Sequence, residues 1–70
     1  MLERTSMFYG KEAAANDKPN NAEVDKEFNM WMAEILGQME LPDEEFADMW
    51  EHLIDCWESG YLAYKRGEVI

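Results

Sequence analysis

The chain has 70 residues, one cysteine and a formal net charge of -10, from sixteen Asp and Glu against six Lys and Arg. Such a length allows one small domain, marginal unless a disulfide, a metal or a partner subunit supports it, and the lone Cys56 excludes an intrachain disulfide, which fits a reducing compartment. The charge disfavours direct binding of nucleic acid or of an anionic membrane, which both need clustered cations, and favours a basic protein surface as partner.

Residues 1–21 read as an N-terminal arm, partly ordered. Glu3 and Arg4 come early and no apolar stretch follows, so the start does not resemble a signal peptide. No apolar run approaches the roughly 20 residues of a membrane span, and the expected location is the cytoplasm. MFYG, residues 7–10, is a small apolar island. It is expected to pack on the chain's own apolar surface or to serve as a docking motif that folds on binding. KEAAA favours helix but is too short to hold one alone, and the turn formers NDKPNN close the arm.

Residues 22–70 read as a helical hairpin domain. A first helix is predicted over about 22–40, capped by Asn20 or Asn21, with Glu23 and Asp25 at the positive end of its dipole. Val24, Phe28, Trp31, Ile35 and Met39 recur at spacings of three and four, widened by Met32 and Leu36, and Met30 falls outside this stripe. Pro42 breaks the helix and can open the next one, with Leu41 and Phe46 placed to form a hydrophobic staple.

The second helix is predicted over about 43–66. Phe46, Trp50, Leu53, Trp57, Tyr61 and Tyr64 form its apolar line, flanked by Met49, Cys56, Gly60 and Ala63 on one side and Ile54 on the other. This arc of roughly 180° is wider than one neighbouring helix covers. Gly60 marks either a close-packing position or a bend. The fold class expected is all-α, an antiparallel two-helix hairpin whose surplus apolar surface is hidden by the N-terminal arm, by another protein or by a second copy, the last favoured because symmetric homodimers are the commonest oligomers and completing a four-helix bundle.

Three constellations bear on function. Glu44, Asp48, Glu51, Asp55 and Glu58 fall within roughly 80° of helix arc. From Asp43 to Tyr64 there are seven acids and no Lys or Arg. Like charges at i,i+3 and i,i+4 cost a few tenths of a kcal/mol per pair, so this is either a face that only aids solubility or one that docks to a basic surface, as a nucleic-acid mimic does. Unless the N-terminal arm covers them, Trp57, Tyr61 and Tyr64 overrun the shorter first helix, and they are placed either in the core or at a partner or dimer contact. His52 and Cys56, at i,i+4, offer two metal ligands but not the set a structural zinc needs. No oxyanion hole, phosphate loop or nucleophile with an oriented base is legible, so no catalytic residue, resident metal or cofactor is expected.

In size, charge and helical content the chain resembles the small acidic proteins with which phages and mobile elements inhibit host proteins, a resemblance that transfers no site. The expected function is non-enzymatic: binding that inhibits or modulates a transcription regulator, a nuclease or a CRISPR-type effector by occluding a basic or apolar surface. The alternatives are a structural or assembly subunit acting as an obligate helical dimer, and a metal-dependent helical module.

Overall fold

A computed structural model describes residues 1–67, and all regular structure among them is helical. Helix α1 spans Leu2–Ala15, a one-turn 3-10 helix spans Ala22–Val24, α2 spans Lys26–Gln38 and α3 spans Asp43–Lys65. Residues 68–70, the end of the domain read from sequence, lie outside the described residues.

The largest departure from expectation is at the N-terminus, where the arm is the 14-residue helix α1. Its buried residues are Ser6, Gly10, Ala13 and Ala14, one helical face built from small side chains. That face has little apolar area to advertise in the sequence, and isolated propensity is too weak to hold so short a helix. Packing against α3 supplies the stabilisation. The helix stops at Ala15 because the chain turns left-handed at Asp17, φ 55°. The Lys18 amide donates to the Ala13 carbonyl (2.9 Å) and the Asp17 amide to that of Ala14 (3.1 Å), the paired bonds of a Schellman cap.

Helices α1 and α3 run parallel and very close. Glu3 lies beside His52, and Met7 beside Gly60. Gly10 sits against the backbone of Trp57 and Tyr61, and Asp17 beside Lys65. A Cβ at Gly10 would sit 1.9 Å from the Trp57 carbonyl oxygen, and one at Gly60 would sit 2.1 Å from that of Met7. Gly60 is thus a close-packing position. The intimate pair is α1 with α3, rather than the hairpin read from sequence over 22–40 and 43–66.

Helix α2 meets α3 through large side chains instead. Phe28, Met32 and Leu36 are fully buried together with Leu53 and Trp57. Tyr9 of α1 closes the third side, its ring 5.8 Å from Phe28 and 5.5 Å from Trp31. The start of α2 also shifts. Asp25 takes extended backbone and its Oδ1 accepts the Phe28 amide (3.2 Å), so Asp25 is the cap and the helix begins at Lys26. Asn21 caps the 3-10 turn, accepting from the Glu23 amide at 3.0 Å. Val24 and Met39 therefore fall outside α2 and are largely exposed. Met30, outside the stripe by its spacing, is exposed as well.

The stagger of the helices positions the surface described below. Segment 16–25 crosses over the C-terminal end of α3, and α1 flanks that half. The first turns of α3 extend in the other direction. With Glu3 opposite His52 and α3 starting at Asp43, nine residues, or roughly 13 Å of helix, lie beyond the reach of α1.

Candidate protein-binding surface

Glu44, Asp48, Glu51, Asp55 and Glu58 are all exposed on α3. The ion pairs among the described residues are Met1–Glu3, His52–Glu3 and Lys65–Asp17, none of which involves these five. Charge is also unevenly distributed along the chain. Between Glu27 and Tyr64 there are ten acids and no Lys or Arg. Lys11, Lys18, Lys26, Lys65 and Arg66 belong to the segments gathered around the C-terminal end of α3. Unbalanced carboxylates held on one rigid helix project a negative potential from the face that carries them.

The three aromatics expected to contact a second chain divide. Trp57 (1% exposed) and Tyr61 (8%) are interior residues, whereas Tyr64 is 40% exposed. The Trp57 indole Nε1–H donates to Asp25 Oδ2 at 2.9 Å. The Tyr61 hydroxyl donates to the Lys18 carbonyl. Lys65 Nζ pairs with Asp17 Oδ1 at 3.1 Å and lies 5.7 Å from the Tyr61 ring centre. These ties clamp segment 16–25 over the aromatics and remove them from reach of a partner. Asp25 uses one carboxylate oxygen for the cap and the other for the indole, so its burial leaves no polar atom stranded. The Trp57–Asp25 pairing spans 32 residues, and no local pattern could reveal it.

The overrun of α3 lies at its other end. There Leu41, Glu45, Asp48, Met49 and His52 line an open groove of about 310 Å³. Leu41 and Met49 are half-buried and form an apolar floor, while Glu45, Asp48 and His52 are exposed. Phe46 and Trp50 stack behind it with ring centres 5.9 Å apart. At the inner end His52 Nε2 lies 3.4 Å from Glu3 Oε1 and 4.0 Å from Cys56 Sγ. A hydrogen bond from its own backbone holds the Glu3 carboxyl below the usual range, reinforced by the N-terminal ammonium group and, less, by His52. Burial pushes the Cys56 thiol up, and the Glu3 and Asp55 charges add to this. A raised thiol is the reverse of an activated nucleophile. Among the described residues no group of three His, Cys, Asp or Glu side chains is placed to hold a metal ion.

The fold and this surface define a small all-helical domain with an acidic face and an adjoining apolar groove. No protein-family model matches the chain, and no match is found among curated proteins or solved structures. Among the described residues no helix is long and apolar enough to cross a membrane.

Proposed function

We propose that this is a non-enzymatic protein-binding module that inhibits or modulates a host protein by occluding a basic surface, in the manner of phage and mobile-element inhibitors. Proteins that handle nucleic acid, such as a transcription regulator, a nuclease or a CRISPR-type effector, present such surfaces. The observation that carries the reading is the exposed row Glu44, Asp48, Glu51, Asp55 and Glu58, none of which enters an ion pair among the described residues. Charge of this kind accelerates encounter with a basic partner, and apolar anchors slow release.

The test is capture of binding proteins from bacterial lysate by the immobilised chain at about 50 and 500 mM salt, with the E51Q/D55N/E58Q variant in parallel. A partner recognised through this face is lost at high salt and by the variant. Retention under both conditions would remove the nucleic-acid-mimic reading.

A second reading is an assembly subunit acting as a helical homodimer, the four-helix bundle included. It is favoured by the exposure of Phe8 (53%) and Met30 (72%). The apolar flank of α3 that first suggested a dimer is covered within the chain by α1, and two copies with charge -10 repel one another. A monomeric mass at micromolar concentration would remove this reading.

A further inference from the structure

Glu45, Met49, His52, Cys56 and Gly60 follow one another at helical spacings of four, three, four and four, so they form one row along α3. The C-terminal part of this row is occupied. The backbone of Met7 lies against Gly60, and Glu3 reaches His52. The N-terminal part is the groove, lined by Leu41, Glu45, Asp48, Met49 and His52. The groove is therefore the continuation of the track in which α1 lies. From Glu45 to His52 it spans roughly 10 Å, two turns.

The chemistry of the track changes where α1 leaves it. Beneath α1 it is small and uncharged, with Gly60 set against the backbone of α1. In the groove the floor is Leu41 and Met49, and the rim is Glu45 and Asp48 with Glu44 and Glu51 nearby on α3. No Lys or Arg lies between Glu27 and Tyr64, and the N-terminal ammonium group at the inner end of the groove is paired with Glu3. An acidic occupant is repelled and a purely apolar one leaves the carboxylates desolvated. A second copy of the chain brings a charge of -10 with it.

We infer that the groove receives a short basic amphipathic helix of the partner protein, end to end with α1, its apolar side chains on Leu41 and Met49 and its Arg or Lys on Glu45 and Asp48. This is helix-in-groove recognition, with anchors at i, i+3 or i+4 and i+7. The inference rests on the binding function proposed above and names the part of the surface that selects the partner.

The test uses the full chain and a fluorescein-labelled 14-residue peptide with Leu at helical spacing and Arg on both flanks of the Leu stripe. Control peptides replace Arg by Glu or Leu by Ser. Binding is read by anisotropy at about 50 and 300 mM salt, and the site is read from amide shifts of the ¹⁵N-labelled chain. The expected result is binding of the Leu/Arg peptide alone, with shifts at Leu41, Glu45, Asp48, Met49 and His52. E45Q and M49S should each weaken it about tenfold, as truncation of an interface anchor does, while D55N/E58Q changes it little. Glu45 is exposed, so E45Q serves even if M49S unfolds the end of α3.

Peptide binding that survives E45Q and M49S but is lost in D55N/E58Q would overturn the groove and leave the acidic-face function standing. No binding of the cationic peptide to any part of the chain would overturn the groove, and the lysate capture then decides the acidic-face function separately. Concentration-dependent shifts of the same five residues without peptide would assign the groove to a second copy and overturn the inference in that way.

Discussion

Replacing Gly10 or Gly60 by alanine tests the feature on which the fold depends most. The added methyl at position 10 would meet the carbonyl oxygen of Trp57 at 1.9 Å and its carbonyl carbon at 2.8 Å. At position 60 it would meet the same atoms of Met7 at 2.1 and 2.7 Å. All of these are backbone atoms, so no side-chain rotation relieves the overlap, and α1 must move off α3 by about 1 Å or more. Overpacking of a tight interface costs about 1–3 kcal/mol, and the rigid backbone places these sites at the upper end. Alanine returns about 1 kcal/mol through helix propensity, leaving a net loss of about 2 kcal/mol for either variant. For a domain of this length each kcal/mol moves Tm by about 4–8 °C, so Gly10→Ala and Gly60→Ala should each melt roughly 8–16 °C lower. Because both open the same interface, the double variant should lose less than the sum. Gly37 is the control. It is exposed in α2, with nothing within 4 Å of an added Cβ, and Gly37→Ala should gain about 1 kcal/mol. The unfolded chain gains the same stiffness in all three variants, so that contribution cancels. Thermal and urea denaturation followed by circular dichroism decides the matter. If all three variants were stabilised alike, α1 would not lie against α3.

Trp57→Phe keeps most of the ring but strands one oxygen of the buried Asp25. It should cost about 2–3 kcal/mol, visible as a lower urea midpoint with unchanged slope. Glu40 sits in the α2–α3 connection with φ 52° and exposed. Glu40→Gly relieves a left-handed backbone that costs about 1–2 kcal/mol in an L-residue. It loosens the unfolded chain by rather less, so Tm should rise by a few degrees. The folded pKa of Glu3 is depressed, so its contribution to stability is full above the ordinary Glu value and is lost as pH falls through the depressed one. Its NMR titration should fall below that of an unstructured glutamate, and Glu3→Gln should flatten the acid limb of the stability curve.

Local pattern alone determined the long helix. The apolar spacing from Phe46 to Tyr64, Pro42 before it and Lys65 at its end place α3 to within a residue of its observed bounds, Asp43–Lys65. The one-signed exposed row opposite that spacing is equally a property of helical geometry and sequence. Boundaries that depend on competition between capping groups were not legible: Asp25 is the cap, and its second oxygen accepts from Trp57, 32 residues away. The arrangement of the helices belongs to the tertiary structure. Helix α1 buries Ser6, Gly10, Ala13 and Ala14, residues with too little apolar surface to signal a packing face. Their value lies in what they lack, since the absence of side-chain bulk lets two backbones approach. That approach covers the C-terminal half of α3 and leaves the Leu41–Met49 groove open at the other. Which end of the aromatic helix faces solvent was set by the fit of Gly10 against the Trp57 and Tyr61 backbone and of Gly60 against that of Met7, a complementarity between distant residues that no periodicity within either segment encodes.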